Sequence, residues 1–508
     1  MRASALGAML ALLLTAVPAH SEQRPRALFA LILGVNHSVD KDLEPLRYAD
    51  DDAARYFDLF RTLGARTYLL TTMDDNTRRL HPQAAAEARA PRIEGLESTI
   101  TALASDIRLA RQRGVTTVLY LIYAGHGNVR DGKGYLTLED GRLSGEALSH
   151  LLSRRIDADL SHLIVDACHS YFLAYGRGPG GKRRALTEFS HLGPVITADD
   201  RVGLLLSTSS TRESHEWEGF QAGVFSHEVR SGLYGAADVD ADGRVSYREI
   251  AAFVEQANAA IPNERYRPRV FARPPGHSTD LVDLRGALTR RLEIEGNDAA
   301  HYLIEDGRGV RLADFHNAPG QALALVRPPA SGRLYLRRVR DQQEFLIPAT
   351  PEVVRLDALD AAAARVRARG AAHDSFELIF DRPFGHDAVA SYQFPALPAT
   401  DEAPAAGWKT YTGLGALGLG VAAGLAGGLT TLSAQRLRNQ DSTGDSHADV
   451  AERNDDIDVR NSAAIAMYGV AGAALVAGLV LLVWPDEELE ATVGVQQDSA
   501  VFAIRGSF

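Results

Sequence analysis

Two apolar runs, each ending at a small residue next to a reactive side chain, constrain the fold of this 508-residue chain more than any other feature. Val118–Tyr123 is followed by Ala-Gly-His126-Gly, and Leu163–Val165 is followed by Asp-Ala-Cys168-His. Both runs have the composition of buried strands. In a parallel α/β sheet such strand ends hold ligands. The pattern therefore predicts that His126 and Cys168 lie side by side at one edge of a sheet.

Cys168 is the only cysteine in the sequence, so it can form no intrachain disulfide and makes a poor metal site. One interpretation is a small buried hydrophobic residue. The other is a nucleophile, because a thiolate acts together with an imidazole and with backbone N–H groups that receive an oxyanion. His126 would supply the imidazole. Gly127, which lacks a side chain, lets its N–H approach a substrate carbonyl, and the N–H of Cys168 is a second donor.

The paired motifs Tyr-Ala-Gly-His126-Gly and Asp166-Ala-Cys168-His-Ser resemble those of caspase-like cysteine peptidases. The resemblance is closer to the metacaspases and bacterial orthocaspases than to the animal caspases, and it extends over residues 27–284. It implies a cysteine endopeptidase acting on proteins or peptides. In that activity His126 is the base and acid, Cys168 is the nucleophile, and Gly127 and Cys168 provide the oxyanion N–H groups.

Two residues depart from the family pattern. Ala124 stands where the family often has Ser, and Tyr171 stands where metacaspases have Gly. These departures favour a different class of function, a catalytically inactive caspase-fold sensor or adaptor that binds peptides or calcium. The His126 and Cys168 pair and Gly127 favour the peptidase.

The resemblance also implies a specificity pocket. Metacaspases carry a segment of the form Leu-x-Gly-Cys-x-Asn-Asp-Ala, whose last Asp lines the pocket for the residue before the scissile bond. On that pattern this chain has Ala49 at the cysteine, Asp51 at the asparagine and Asp52 at the aspartate, and Asp166 matches a second pocket acid. Two carboxylates attract a guanidinium or ammonium group, which implies cleavage after Arg or Lys. The alternative is that Asp50–Asp52 only favours a helix start.

Strands and helices alternate through residues 27–285. This alternation predicts an α/β domain with a mostly parallel sheet and helices on both faces. The resemblance implies that the domain is caspase-like. Its predicted elements include a strand from Ala27 to Asn36, a helix from Leu96 to Arg113 and a crossover helix from Leu143 to Leu152. Beyond Cys168, the basic stretch Lys182–Arg184 is a candidate for self-cleavage, the alternative being a basic loop without a processing role.

The segment Asp238-Val-Asp-Ala-Asp-Gly-Arg-Val-Ser-Tyr-Arg-Glu249 has the spacing of an EF-hand-type calcium loop. Such loops have oxygen ligands at fixed positions, a backbone carbonyl at position seven and Gly at position six. The expected Ca²⁺ ligands are Asp238, Asp240, Asp242, the carbonyl of Arg244, Ser246 and Glu249. A structural calcium site is the first interpretation, and calcium regulation or an empty, degenerate loop are the alternatives.

Residues 290–400 contain short alternating apolar runs separated by Gly, Pro, Asn and Asp, which predict a small antiparallel β-sandwich-like accessory domain. Ala361–Ala372 is rich in Ala and Arg and predicts a helical insert. The region would bind a partner or a cell-envelope component, or would space the enzyme from a membrane. The net charge of −11, without a basic stripe, argues against nucleic acid as a partner.

The remaining segments predict membrane attachment. Residues 1–20 have the form of a secretory signal peptide, with a retained signal anchor as the alternative. Residues 411–432 and 463–484 are apolar, long enough to span a bilayer, and rich in Gly and Ala, whereas buried helices of a soluble domain are the alternative. Arginines near their inner ends predict that residues 433–462 are cytoplasmic and that the catalytic domain and the tail 485–508 are outside. The expected location is the inner membrane, with the catalytic domain in the periplasm.

Overall fold

The computed structural model describes residues 25–130, 133–167, 199–207, 216–262, 267–329, 332–363, 375–394, 408–440, 446–483, 490–496 and 499–505. It contains two compact units, residues 1–399 and 400–508, which are described separately.

The first part of unit 1 alternates strands with helices. Its strands are β1 (Arg26–Gly34), β2 (Arg66–Thr71), β3 (Thr116–Ala124), β4 (Gly127–Arg130), β5 (Lys133–Thr137), β6 (Arg142–Ser144), β7 (Leu160–Asp166), β8 (Val202–Ser207), β9 (Glu216–Trp217), β10 (Ala222–Gly223), β11 (Arg244–Ser246), β12 (Val270–Arg273) and β13 (Asp280–Asp283). Its α-helices are α1 (Ala49–Thr62), α2 (Asp75–Leu80), α3 (Pro82–Glu87), α4 (Ile93–Gln112), α5 (Gly145–His150), α6 (Val224–Ser231) and α7 (Tyr247–Ala257). A π-helical turn, Leu151–Ile156, continues α5.

Six of these strands form the central sheet in the order β12-β8-β7-β3-β1-β2. All neighbours are parallel except the β12–β8 pair. The two faces of β1 enter different cores, because successive side chains of a strand point to opposite sides. Ile32 packs in the core that contains Phe57 of α1, and Leu31 packs in the core that contains Leu103 of α4. The predicted caspase-like α/β fold, with a mostly parallel sheet and helices on both faces, is confirmed.

The second part of unit 1 is rich in β-structure. Its strands are β14 (Arg291–Ile294), β15 (His301–Asp306), β16 (Arg311–His316), β17 (Leu323–Val326), β18 (Leu334–Arg338), β19 (Gln343–Ile347), β20 (Val353–Arg355) and β21 (Ala361–Ala363), and a short helix, α8 (His386–Ser391), follows them. They form a three-stranded sheet, β17-β14-β20, and a five-stranded sheet, β16-β15-β18-β19-β21. The β14–β20 pair is parallel, which the expected antiparallel pattern did not include.

The prediction of a helix beginning at Ala361 is wrong for its first residues. Ala361–Ala363 form strand β21, which pairs antiparallel with Phe345–Gln343 of β19. Alanine favours helices, but the open edge of β19 offers unpaired backbone groups, and tertiary pairing overrides a weak propensity. Residues 364–372 of the predicted insert lie outside the described residues.

The β-rich part and the α/β part share one hydrophobic core. Val229 of α6 and Phe253 of α7 belong to the same buried cluster as Phe315 of β16. A buried polar contact accompanies this packing, since His227 Nε2 lies 2.8 Å from Asp314 Oδ2 and both side chains are fully buried. Helix α6 therefore lies between the central sheet and the β-rich part.

The buried His227 predicts loss of stability in acid. Burial lowers the pKa of His227 to about 4 despite the opposing effect of Asp314, whereas a histidine in the unfolded chain titrates near its usual 6.5. Protonation of His227 therefore favours the unfolded state. The stability that neutral His227 contributes is fully present above about pH 6.5 and is lost as the pH falls towards 4. We expect it to amount to up to about 3 kcal/mol. Melting temperatures of the wild type and of His227→Gln between pH 7.5 and 4.5 check this, because the variant curve should be flatter. Parallel curves would contradict the prediction.

Unit 2 contains two long helices, α9 (Trp408–Arg438) and α10 (His447–Val483), and a hairpin of β22 (Glu490–Gln496) and β23 (Ser499–Arg505). Within these helices, Thr412–Arg438 and Ala448–Val480 are long and apolar enough to cross a membrane, with mean hydropathies of 1.5 and 2.0. They pack closely, because a Cβ on Gly420 would lie 2.7 Å from Leu475 Cγ. These helices indicate membrane association. The predicted signal peptide, residues 1–20, lies outside the described residues.

Candidate active site

The ends of β3 and β7 lie side by side at one edge of the central sheet. Ala124 pairs with Asp166 across the two strands, and the Gly125 N–H donates a hydrogen bond to the Asp166 carbonyl at 3.1 Å. His126 therefore follows β3 beside the point where the chain leaves β7 towards position 168. Cys168 itself lies outside the described residues, as do Tyr171 and the basic stretch 182–184.

The imidazole of His126 is held by a backbone carbonyl. Its Nε2 lies 2.8 Å from the carbonyl oxygen of Glu44, and the side chain is largely buried. Burial lowers the pKa of His126, opposed by the Glu44 carbonyl and by Asp40. Because a carbonyl oxygen only accepts hydrogen bonds, Nε2 carries the hydrogen of the neutral ring. Nδ1 is then the basic nitrogen that can take a proton.

The backbone around Gly127 is fixed with its N–H turned away from the neighbouring strand. Gly127 lies opposite Leu136, and the Thr137 N–H donates to the His126 carbonyl at 3.0 Å. This bond identifies Gly127 and Leu136 as a non-hydrogen-bonded pair, so the Gly127 N–H points away from β5. The Tyr123 hydroxyl, 2.8 Å from the His126 carbonyl, fixes the same peptide.

The two predicted pocket acids meet at one glycine. The Gly223 N–H donates to Asp52 Oδ2 at 2.7 Å, and the Ser226 N–H donates to Asp166 Oδ2 at 3.0 Å. A Cβ on Gly223 would lie 2.6 Å from Asp166 Oδ2 and 3.0 Å from Asp52 Oδ2. A side chain at position 223 would therefore collide with both carboxylates. The structure thus places Asp52 of α1 and Asp166 of β7 close together at the turn into α6.

Asp52 is paired with Arg230, a residue that no sequence motif points to. Arg230 Nη2 lies 3.0 Å from Asp52 Oδ1, and the two side chains are only 1% and 2% exposed. Burial raises the pKa of Asp52, and Arg230 opposes this effect. Asp166 is half-buried and is the more accessible of the two acids. A buried helix with several polar side chains, as in Val224–Ser231, is the only local signal that could have pointed to Arg230.

The first turn of α1 contains three acids, Asp50, Asp51 and Asp52, whose surroundings differ. Asn36 accepts a hydrogen bond from the Ala49 N–H at 2.9 Å and donates one to Asp50 Oδ1 at 2.7 Å. Glu216 of β9 accepts from the N–H groups of residues 47 and 48. Asp50 therefore stabilises the start of the helix. Asp51, at the family's asparagine position, is buried, and this burial raises its pKa to about 7. Only Asp52 of the three lies next to Asp166.

The six predicted calcium ligands lie in residues 238–249, a segment that follows α6 and ends in the first turn of α7. Carboxylate oxygens of Asp238, Asp240 and Asp242 lie within 4.8 Å of one another. Arg244 and Ser246 are in β11, which pairs with β13, and Glu249 lies in the first turn of α7.

Sequence comparison agrees with the caspase-like fold of the α/β part. Residues 27–259 match the family model described as the caspase domain. The crystal structure of caspase-1 from Spodoptera frugiperda is similar at 12% identity, covering 50% of this chain and 90% of that chain with a TM-score of 0.32. The Drosophila initiator caspase Dronc is similar at 8% identity, covering 55% of this chain and 95% of that chain with a TM-score of 0.32. No curated protein sequence matches this chain.

Proposed function

We propose that this chain is a cysteine endopeptidase in which His126 is the base and acid and Cys168 is the nucleophile. The observation that carries the proposal is the position of His126 at the end of β3, with its Nε2 bound by Glu44, beside the strand that leads to Cys168. The match of residues 27–259 to the caspase domain supports the same conclusion.

The proposed reaction uses few groups. His126 takes the thiol proton as the sulfur of Cys168 attacks the scissile carbonyl carbon, while the N–H groups of Gly127 and Cys168 receive the oxyanion. The C–N bond then breaks, and His126 returns the proton to the leaving amine. Water hydrolyses the resulting thioester and regenerates the thiol. The outward-pointing Gly127 N–H supports its role, since an N–H bonded to β5 could not serve.

The proposed specificity is for Arg or Lys before the scissile bond, with Asp52 and Asp166 as the acidic wall of the pocket. The buried Arg230 offsets the charge of Asp52. The carboxylate of Asp166 therefore contributes most of the attraction for a cationic side chain. A substrate Asp or Glu would be repelled, because its negative charge would lie close to the half-buried carboxylate of Asp166, beside Asp52.

The proposed location is the inner membrane, with the peptidase part in the periplasm. The two apolar helices of unit 2 support membrane association. The orientation follows from the arginines of residues 433–462 and from the signal-like residues 1–20.

Hydrolysis of fluorogenic peptides with Arg, Lys or Asp before the reporter tests this proposal. We expect the full-length protein in detergent to cleave the Arg and Lys peptides and to leave the Asp peptide intact, and Cys168→Ala to be inactive. Cleavage after Asp alone would support Cys168 as the nucleophile and would contradict the proposed acidic pocket. No cleavage, including after limited proteolysis near Lys182, would favour the inactive sensor or adaptor. The intact masses of the wild type and Cys168→Ala test self-cleavage, since only the wild type should be clipped.

A further inference from the structure

The acidic loop of residues 238–249, which follows α6 and ends in the first turn of α7, is not used by the proposed peptide hydrolysis. It carries four carboxylates, those of Asp238, Asp240, Asp242 and Glu249. Three of them place oxygen atoms within 4.8 Å of one another. Like charges this close repel one another, so the arrangement needs a compensating positive charge.

The arginines of this loop do not provide that charge. Arg244 Nη1 lies 2.8 Å from Asp280 Oδ2, and Arg248 Nη1 donates to the carbonyl of Tyr392 at 3.0 Å. Both guanidinium groups thus bind partners outside residues 238–249. The backbone carbonyl of Arg244 remains in the loop at the seventh position, where an EF-hand-type loop uses it as a ligand.

A buried oxygen atom points independently to a ligand. Asp238 is only 5% exposed, and its Oδ2 accepts a hydrogen bond from the Gly243 N–H at 3.0 Å. Its Oδ1 is buried, and within the described part of the chain it has no hydrogen-bond partner. A carboxylate oxygen that is buried away from water without a hydrogen-bond partner raises the free energy of the folded state. A cation in contact with this oxygen would remove that cost.

The ligand chemistry favours calcium over magnesium. All the candidate ligands are oxygen atoms, which hard cations prefer. A set of about six ligands from one loop suits the variable coordination of Ca²⁺ better than the strict octahedron of Mg²⁺. Gly243 has φ +79°, the left-handed conformation that the sharp turn at position six requires. Glu249 is buried at position twelve, where it also accepts from the Ser246 N–H at 2.8 Å.

We infer that residues 238–249 bind one calcium ion that fixes the connection between α6 and α7. The ion would join the end of the segment that carries Arg230 to the start of α7, and would stabilise the short β11–β13 pairing beside it. Its expected role is structural, so calcium should stabilise the folded chain whether or not the chain cleaves peptides.

Calorimetric titration and thermal melting of the full-length protein in detergent test this inference. We expect one Ca²⁺ per chain and a rise in melting temperature of about 3–8 °C at saturating Ca²⁺ relative to chelator. In Asp240→Asn/Asp242→Asn, the Ca²⁺ affinity should fall at least 100-fold and the rise should disappear. Both side chains are exposed, so the chelator-treated variant should melt within about 2 °C of the chelator-treated wild type. Asp75→Asn, an exposed acid in the first turn of α2, is the matched control and should keep the full rise.

Three outcomes would overturn the inference. The first is a wild type that gives no heat of binding and no rise with Ca²⁺. The second is an equal rise in the double variant, which would assign the ion to another site. The third is Mg²⁺ acting as strongly as Ca²⁺, which would remove the calcium preference. None of these measurements depends on peptide hydrolysis, so they remain distinct from the test of the proposed peptidase.

Discussion

Replacing His126 by alanine is expected to lower peptide hydrolysis roughly 10²–10⁴-fold, the range that a positioned general acid and base contributes. In the proposed reaction the imidazole takes the thiol proton and returns it to the leaving amine, and the variant lacks both transfers. The His126 ring is held through Nε2 by the Glu44 carbonyl, so its loss removes one hydrogen bond at the edge of the sheet. The rate of hydrolysis of a saturating Arg peptide checks the effect.

The control for this variant is His277→Ala, which removes an exposed imidazole outside the proposed site and should leave the rate unchanged. The pH profile gives a second readout. Burial lowers the pKa of His126, so the wild-type rate should fall on the acidic side below the usual histidine pKa, and this limb should be absent from the residual activity of His126→Ala. A variant that retains full activity would disprove the assigned role.

Replacing Arg230 by methionine is expected to destabilise unit 1 by about 3–5 kcal/mol, because it leaves the buried carboxylate of Asp52 without its partner. The two side chains are 1% and 2% exposed and meet at 3.0 Å, so water cannot replace the lost guanidinium. Thermal melting and denaturant unfolding at pH 7.5 measure the loss.

A double-mutant cycle separates the loss of the pair from the loss of packing. Arg230→Met/Asp52→Asn should recover a large part of the stability, because neither charge is then left unpaired. Arg355→Met is the matched control: it breaks ion pairs with Asp357 and Glu295 in which all side chains are about half exposed, and should cost no more than about 1 kcal/mol. If the double variant were as unstable as Arg230→Met, the cost would lie in packing and the ion-pair argument would fail.

The central sheet could be predicted from the sequence because its inner strands are nearly continuous apolar runs. Strand β3 is buried along almost its whole length, and such a run admits few structures other than a buried strand. Strand β2, at the sheet edge, begins with exposed and half-buried residues and gave no such signal. Helices α2 and α3 lie in a stretch that reads as a polar connection, because each has only six residues and little apolar surface.

The candidate site could be predicted only where its residues lie next to a strand end. His126 and Gly127 follow β3 directly, and Asp166 ends β7, so their proximity follows from parallel pairing. Arg230 is 178 positions from Asp52, and no periodicity relates them. Their contact depends on how α6 packs against α1, which is a property of the assembled core and has no local signature.

The position of α6 has a consequence for the smallest useful fragment of this protein. On one side the helix contacts the pocket acids through Ser226 and Arg230, and on the other His227 and Ser231 bind Asp314 of β16. A fragment that ends near residue 285 would remove the packing that supports α6 beside Asp52 and Asp166, and would expose the buried His227 to water. A minimal fragment that keeps α6 in place therefore has to extend through the β-rich part.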